Sequence, residues 1–174
     1  MKQIDIGQVD ATFRNIALSI GLVIESVVIQ ASTAHIETKP IKFNLPQPAD
    51  VVVTVTQEAI QDHLEQMSPG GLRNFRVALI DGQVLVEAKA KVIVEISAKA
   101  VCTLRIVDGK ALYVDLQDVD VFGGSAKKLV EGQLEKVNPI LDAKDLPLDL
   151  TMNDVKVGDG KVVIYGTALP PQSL

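Results

Sequence analysis

Tryptophan is absent from this sequence of 174 residues, and aromatic residues of all kinds make up only 3% of it. Flat rings stack on nucleic-acid bases and line sugar-binding clefts, so their scarcity argues against both kinds of site. Positive charge is also in short supply, because 22 acidic residues outnumber 17 basic ones and leave a net charge of −5. Nucleic acid and anionic membranes both attract basic surfaces. The composition therefore argues against nucleic acid as a partner and against strong electrostatic attraction to anionic lipid.

Residues that carry chemistry are few and scattered. Cys102 is the only cysteine, so no disulfide can form within the chain, and its place on the apolar side of a predicted strand indicates a buried thiol. The two histidines, His35 and His63, fall on different elements, and no cluster has the spacing of metal ligands. Asp62 and Glu65 lie close to His63 in sequence, but helical spacing does not bring the three side chains to one point. We therefore predict a protein that is not an enzyme and has neither a metal nor a cofactor.

An apolar side chain occupies every even-numbered position in the segment 84–106, whereas the odd positions are mostly polar. A period of two predicts a β-strand with one face in the core and one face in solvent. The segment contains neither Gly nor Pro, so it predicts one very long strand, which we expect to bend or break near Ser97–Lys99. Four small residues leave space on its apolar face and so favour a groove there: Ala88, Ala90, Ala98 and Ala100.

Asp-Gly occurs three times between alternating apolar segments, at 81–82, 108–109 and 159–160. This dipeptide is typical of β-hairpin loops because its glycine accepts positive φ. Two-residue loops at the first and third sites would pair Leu79 with Val84, Val77 with Val86, Phe75 with Ala88, Val157 with Val162, and Val155 with Ile164. At the second site the pattern predicts a three-residue loop, Val107–Gly109, with Gly109 in the left-handed region. That loop would pair Leu104 with Leu112, Cys102 with Val114, and Ala100 with Leu116.

Two segments have the apolar periodicity of amphipathic helices. The first follows a strand at Val51–Val55 and begins at Thr56, a residue suited to an N-cap. Its apolar stripe consists of Ile60, Leu64 and Met67, and the sequence Ser68-Pro69-Gly70-Gly71 ends it. The second runs from Ser125 to about Asn138 and is stopped by Pro139. A third, weaker helix is expected from Val9 to about Ile20, followed by a strand at Val23–Ala31.

These elements predict an α+β fold in which a long, curved antiparallel β-sheet wraps around two or three helices. The length favours a single domain over residues 1–174. The apolar segment 16–24 is too short to span a bilayer, and two acidic residues precede it. We therefore expect neither a signal peptide nor an anchor. This favours the cytoplasm or the periphery of the inner membrane, while export stays an open alternative.

Four segments follow one another in a specific order: "VTVTQEAIQDHL", "RNFRVALIDGQVLVEAKA", "CTLRIVDGKALYVDL" and "LPLDLTMNDVKVGDGKVVIYGTA". In this order the chain resembles the LmeA-type family of bacterial phospholipid-binding envelope proteins, which is similar to tubular lipid-binding (TULIP-like) domains. The resemblance covers about residues 25–168. It implies a long curved sheet around helices, an elongated apolar groove for lipid chains, and no catalytic motif. Family members look exported or anchored, and in this respect the chain departs from them.

From the residues and the resemblance together, we predict that a phospholipid or fatty acid places its acyl chains in an apolar groove between sheet and helices. The predicted groove residues are Ile60, Leu64, Met67, Ala88, Ala90, Val92, Val94, Leu129, Val130, Leu134 and Val137. The polar headgroup would lie where the second helix begins, because free backbone N–H groups and two lysines can meet an anion there. The predicted headgroup residues are Gly124, Ser125, Lys127 and Lys128. Peripheral contact with a membrane would follow from such a role.

Two alternatives stay open at this point. The segment Phe122–Lys128 fits a plain structural turn, in which Ser125 does no more than cap a helix. The whole chain also fits a fully packed scaffold that binds no ligand and docks another protein or a second copy of itself as a homo-oligomer. The last apolar segment, "KVVIYGTALPP", would then provide an exposed sheet edge.

Overall fold

The computed structural model describes residues 3–38, 41–91, 95–121, 126–146 and 149–169. In chain order, the strands and helices are β1 (Gln3–Ile6), β2 (Val9–Ala17), β3 (Val23–Ala31), β4 (Ala34–Thr38), β5 (Ile41–Asn44), β6 (Ala49–Thr56), α1 (Gln57–Met67), β7 (Arg73–Ile80), β8 (Gln83–Lys91), β9 (Glu95–Val107), β10 (Ala111–Val121), α2 (Ala126–Val137), β11 (Leu141–Asp142), β12 (Asp149–Gly158) and β13 (Lys161–Leu169). Single 3-10 turns lie at Pro69–Gly71 and Ala143–Asp145.

The strands form three antiparallel sheets. The small sheet has the order β1-β4-β5, the first large sheet β12-β13-β6-β3-β2, and the second large sheet β11-β10-β9-β8-β7. Helix α1 contacts β7, β3 and β6, and helix α2 contacts β10. The predicted α+β class, with curved antiparallel sheet around helices, is confirmed, although the strands are divided among three sheets.

The two large sheets meet along β12, an edge strand of the first large sheet that contacts β7, β8 and β9 of the second. Backbone hydrogen bonds from the loops of the second large sheet hold this junction. Gly82 N donates to Val157 O at 2.9 Å, and Gly109 O accepts from Met152 N at 2.7 Å. The loops thereby supply partners for β12 backbone groups that would otherwise lie on an open edge.

Apolar residues at alternating strand positions form the core between the large sheets. In β6 the side chains of Val51, Val53 and Val55 are buried, while those between them are less so. The other core residues include Ile24, Leu79, Cys102, Leu150, Met152 and Ile164. An alternation that buries one face of each strand explains why the sequence pattern of period two holds through most of the chain.

The segment 84–106 forms two strands rather than one, so the prediction of a single long strand with a break near Ser97–Lys99 is wrong. The chain leaves β8 at Lys91 and returns in β9 from Glu95, pairing Val84 with Cys102, Val86 with Ala100, and Ala88 with Ala98. Each pair joins two even-numbered residues, so the reversal keeps every even-numbered side chain on the same face. Alternation alone therefore did not reveal the reversal, and no Gly or Pro marks it.

The hairpin loops at 81–82 and 159–160 have the predicted two residues. The predicted pairs Leu79–Val84, Val77–Val86, Val157–Val162 and Val155–Ile164 are present, while Phe75 and Ala88 lie at an irregularity in the β7–β8 register. At the middle site the loop has three residues and Gly109 has a φ of +66°, as predicted. However, Val107 pairs with Ala111 and Leu104 with Val114, so the loop is Asp108–Lys110 and the predicted register is wrong. A shift of one strand by two residues still pairs apolar side chains with apolar side chains, so the alternating pattern did not distinguish the two registers.

The helix predicted from Val9 to Ile20 is wrong, because Val9–Ala17 is strand β2, paired with β3. The spacing of the apolar residues in this segment is compatible with both a helix and a short strand, and the segment forms a strand because it pairs with β3. The predicted strand at Val23–Ala31, the cap of α1 and the end of α2 before Pro139 are confirmed, whereas the predicted start of the second helix at Ser125 lies outside the described residues. Strand β3 covers Val23–Ala31, α1 follows a cap at Thr56, and α2 ends at Val137 before Pro139.

Candidate functional site

Helix α1 is held at both ends by features that the sequence encodes. Thr56 has extended backbone and its hydroxyl accepts a hydrogen bond from Ala59 N at 3.2 Å. At the other end Ser68 adopts the left-handed conformation and its backbone N–H donates to Leu64 O at 2.9 Å. The helix is amphipathic, and Ile60 and Leu64 of its apolar stripe pack against the core. This stripe forms one wall of the site described below.

A polar row on another side of α1 binds the edge of the second large sheet. Gln57 and Gln61 accept hydrogen bonds through their side-chain oxygens from Leu79 N and Val77 N, at 3.1 and 3.2 Å. Glu65 accepts one from Phe75 N. Residues at i, i+4 and i+8 of a helix therefore meet every second N–H of β7, which is an edge strand. No prediction from the sequence included this row, although three long acceptors at helical spacing next to an apolar stripe are a usable signal.

Helix α2 forms the opposite wall. Val130, Leu134 and Val137 lie at i, i+4 and i+7, and the helix contacts β10. Asn138, which follows it, pairs with β10 as a strand residue would. Its side-chain oxygen accepts from Val114 N and its amide donates to Val114 O, both at 2.9 Å. These two bonds fix the C-terminal end of α2 to the sheet.

A cavity of about 480 Å³ lies between the two helices and the apolar faces of the two large sheets. Its walls are almost entirely apolar, and three polar side chains, His63, Gln133 and Lys136, also reach them. The apolar lining residues are Ile20, Leu22, Val55, Ile60, Leu64, Met67, Pro69, Leu72, Phe75, Val84, Val86, Ala100, Cys102, Leu104, Leu112, Val114, Val130, Leu134, Val137, Pro139, Ile140, Leu141, Val162 and Ile164. Such a space suits an aliphatic ligand, because apolar walls contribute free energy in proportion to the apolar area they bury.

Four of the lining residues are exposed to solvent: Ile20, Met67, Lys136 and Pro139. Ile20 and Met67 are the large hydrophobic side chains among them, and we take them to mark an apolar opening of the cavity. Ile20, in the turn between β2 and β3, is 40% exposed, and Met67, the last residue of α1, is 48% exposed. We call the region that contains these two side chains the mouth. Behind it, Gly70 lies so near α2 that a Cβ there would come within 2.8 Å of the Gln133 side chain. The segment after α1 thus joins the two helical walls.

The cavity walls contain few titratable groups, and the buried ones among them are uncharged. Burial lowers the pKa of the His63 imidazole, an effect that the nearby backbone of Gly21 partly opposes. Burial raises the pKa of the Cys102 thiol to about 11, so this thiol is protonated and unreactive at neutral pH. Lys136 is exposed and stands at the C-terminal end of α2, where a helix favours positive charge. The described walls contain no carboxylate.

A phospholipid-binding family model, described as LmeA-like, matches residues 1–167 of the chain. The chain belongs to the LmeA-like phospholipid-binding family. No curated protein and no solved structure matched it. The resemblance seen in the sequence is therefore confirmed, and the match extends further toward the N-terminus than the resemblance did.

In this LmeA-like protein the predicted groove residues fall into three groups. Ile60, Leu64, Met67, Val130, Leu134 and Val137 line the cavity. Ala88 is buried but is not part of the cavity wall. The remaining four cannot be placed against it: Val92 and Val94 lie outside the described residues, as do the side chains of Ala90 and Leu129. Their contact with a lipid stays a prediction.

The predicted headgroup residues are only partly described. Gly124 and Ser125 lie outside the described residues, as does the side chain of Lys127, while Lys128 is exposed in the first turn of α2. The cation that does reach the cavity wall, Lys136, lies at the opposite end of the helix. Lys136 was not among the predicted headgroup residues, because helical position alone does not say which lysine borders an opening.

Other kinds of site find no support in the part of the chain that the structure describes. No group of His, Cys, Asp and Glu there could hold a metal ion. No described helix has the length and apolar content needed to cross a bilayer.

Proposed function

We propose that this LmeA-like protein binds a phospholipid without catalysing a reaction, and that an acyl chain of the lipid lies in the cavity between α1, α2 and the two large sheets. The single observation that carries the proposal is the cavity, which combines a volume of about 480 Å³ with nearly continuous apolar walls. Ligand sites in proteins commonly range from about 300 to 1,000 Å³. A fatty acid presents the same acyl chain and would use the same space.

The free energy of binding would come from methylene groups leaving water. Each buried CH₂ contributes about 0.8 kcal/mol, so ten of them supply roughly 8 kcal/mol before the entropy of ordering the chain is subtracted. The polar headgroup has to stay near water, because a phosphate buried without partners costs several kcal/mol. We therefore propose that the headgroup stays at the surface while the acyl chain occupies the interior.

The uncharged state of the buried Cys102 and His63 in the wall fits this function better than catalysis. Cys102 is protonated, and burial favours the uncharged form of His63. Neither group has a carboxylate on the cavity wall to activate it. The role of the walls is thus to exclude water and accept hydrocarbon.

Filling the cavity tests the proposal. Ala100 lines it from β9, and Val101 is the next residue on the same strand but is not part of the wall. Ala100→Phe should place a ring in the space meant for the acyl chain, whereas Val101→Phe adds a ring on the other face of the sheet. Native mass spectrometry, lipid extraction after purification and uptake of phospholipid from vesicles would measure bound lipid in both variants.

We expect lipid binding to be lost in Ala100→Phe and kept in Val101→Phe, with the fold intact in both by circular dichroism. Equal binding in the two variants would contradict the placement of the acyl chain. Wild-type protein that is free of lipid after purification, takes up none from vesicles and associates with itself as concentration rises would support the scaffold alternative instead.

A further inference from the structure

The mouth of the cavity carries exposed apolar side chains at two separate chain reversals. Ile20 lies in the β2–β3 turn, where Leu18 N donates to Leu22 O and Gly21 N donates to Leu18 O, both at 2.9 Å. The flanking side chains of Leu18 and Leu22 are buried, and they anchor the turn while Ile20 is 40% exposed. Met67, 48% exposed, ends α1 just before the left-handed Ser68. Two anchored turns thus hold large apolar side chains at the opening.

These side chains belong to the cavity wall as well as to the outer surface. Ile20 and Met67 both line the cavity, and Pro69 continues the same wall. The apolar surface is therefore continuous from the interior to the outside. An acyl chain leaving the cavity by this path meets water only if nothing apolar covers the mouth. A lipid bilayer is the partner that would cover it with the same hydrocarbon that fills the cavity.

We propose that the mouth, through Ile20 and Met67, docks on the surface of a phospholipid bilayer, so that an acyl chain passes between bilayer and cavity without crossing water. This inference rests on the proposed function, since it gives the cavity its route of exchange. It differs from an electrostatic mode of membrane binding. The chain has a net charge of −5, and Lys136 is the one charged residue among those that line the described cavity. Docking on zwitterionic phosphatidylcholine therefore depends on apolar insertion and tolerates salt.

The absence of tryptophan from the chain allows a direct test. Ile20→Trp places the only tryptophan of the chain at the mouth, where it can be excited selectively at about 295 nm. Ile80→Trp is the matched control, because Ile80 is 51% exposed beside the Asp81-Gly82 loop, at the opposite end of α1. With vesicles of phosphatidylcholine, we expect the emission of Ile20→Trp to shift to shorter wavelength and to be quenched by brominated acyl chains. The emission of Ile80→Trp should not change.

Vesicle flotation supplies the second measurement. Ile20→Ser combined with Met67→Ser should weaken flotation with phosphatidylcholine vesicles roughly tenfold, because two apolar side chains no longer partition into the bilayer. Ile80→Ser should float like the wild-type protein, and thermal unfolding should be cooperative in all variants. Flotation that is equal in the double variant and in Ile80→Ser would overturn the docking proposal.

Monomeric lysophosphatidylcholine separates this proposal from the proposed function. Wild-type protein that takes up the monomer but does not float with vesicles retains its proposed function and does not dock at the mouth. A spectral shift of Ile20→Trp that the monomer reproduces in full would report lipid inside the cavity, and would likewise overturn docking. Wild-type protein that takes up neither monomer nor vesicle lipid would contradict the proposed function itself.

Discussion

At its N-terminal end, helix α1 is tied by hydrogen bonds to two β-hairpins, whereas at its C-terminal end it borders the mouth of an apolar cavity. Gln57 N donates to Gly160 O at 2.9 Å, and Gln57 accepts through its side chain from Leu79 N. Beside it, Gly160 N donates to Leu79 O at 3.3 Å. The other end presents Met67 to solvent, next to the β2–β3 turn, where Ile20 is also exposed and a Cβ on Gly21 would lie 3.4 Å from Gln66 Oε1. The two ends are only about 16 Å apart, given the rise of 1.5 Å for each of 11 residues.

The contrast suggests a division of roles along one helix, stability at one end and the proposed lipid binding at the other. Backbone groups at the N-terminal end have partners within the protein, so opening that end would break several hydrogen bonds at once. The C-terminal end exposes apolar surface that the protein itself does not cover, which is typical of an interaction site. We expect substitutions at the first end to change stability and those at the second to change lipid binding.

The largest effect should come from truncating a core side chain at the tied end. Leu79 is 1% exposed, and Leu79→Ala should lower the free energy of unfolding by about 2–5 kcal/mol because it opens a new cavity. Leu64→Ala should cost less, about 1–2 kcal/mol, since Leu64 is half-buried and borders space that already exists. Urea unfolding measures both, and equal losses would contradict the distinction between a packed end and an open one.

The next effect concerns the polar row of α1. Gln61→Ala leaves Val77 N on edge strand β7 without its partner at 3.2 Å, which should cost about 1–3 kcal/mol. Asp62→Ala is the matched control, because Asp62 is exposed on the same helix and should change stability by no more than about 0.5 kcal/mol. Chemical denaturation compares them. Alanine has the highest helix propensity, so helix propensity cannot explain a loss in either variant. A stability loss in Asp62→Ala as large as that in Gln61→Ala would mean that the edge hydrogen bond is not responsible for the effect of Gln61→Ala.

A smaller effect, on binding to anionic vesicles, should show which end of α2 lies near the lipid headgroup. Lys136→Glu should weaken binding to phosphatidylglycerol vesicles at low salt by roughly fivefold, since a basic residue near an anionic surface contributes about 1 kcal/mol. Lys127→Glu combined with Lys128→Glu should also weaken it, by no more than this, because the helix-dipole contribution there is about 0.3–1 kcal/mol. Added salt should reduce both effects. Unchanged binding in the double variant would remove the start of α2 as a headgroup site.

The smallest effect is a pH dependence that His63 introduces into the cavity wall. Burial places its folded-state pKa below the usual value of 6.5, so the unfolded chain binds more protons when the pH falls below that value. The stability contribution is therefore complete above pH 6.5 and declines as the pH drops through and below it. His63→Leu should flatten this decline in thermal unfolding between pH 7 and pH 5, while His35→Gln should retain it. A decline that survives His63→Leu unchanged would assign it to other groups.

Local structure was largely predictable from residues next to one another. Asp81-Gly82 and Asp159-Gly160 have positive φ at both positions and form the predicted two-residue loops. Thr56 caps α1, and Ser68 ends it as the sequence indicated. Each of these features depends on the conformational preference of a few adjacent residues, and such preferences act before any tertiary contact forms.

Features that depend on pairing between distant segments were not predictable in the same way. The chain reverses between Lys91 and Glu95, and Val107 pairs with Ala111, although another arrangement would have kept the same faces apolar. Alternation specifies which side of a strand is buried, but it is unchanged by a shift of two residues or by a reversal that keeps parity. Pairing with β3 likewise made Val9–Ala17 a strand.

The sequence by itself determined the composition of the apolar faces, the Asp-Gly loops, the limits of α1 and the family. Only the tertiary structure decided that Gln57, Gln61 and Glu65 would bind the edge of β7, and that Ile20 and Met67 would both line one cavity while staying exposed to solvent. The physical reason is the range of the interactions. Turn and capping preferences act over a few residues, whereas a cavity exists only where surfaces far apart in the chain pack together and leave space between them.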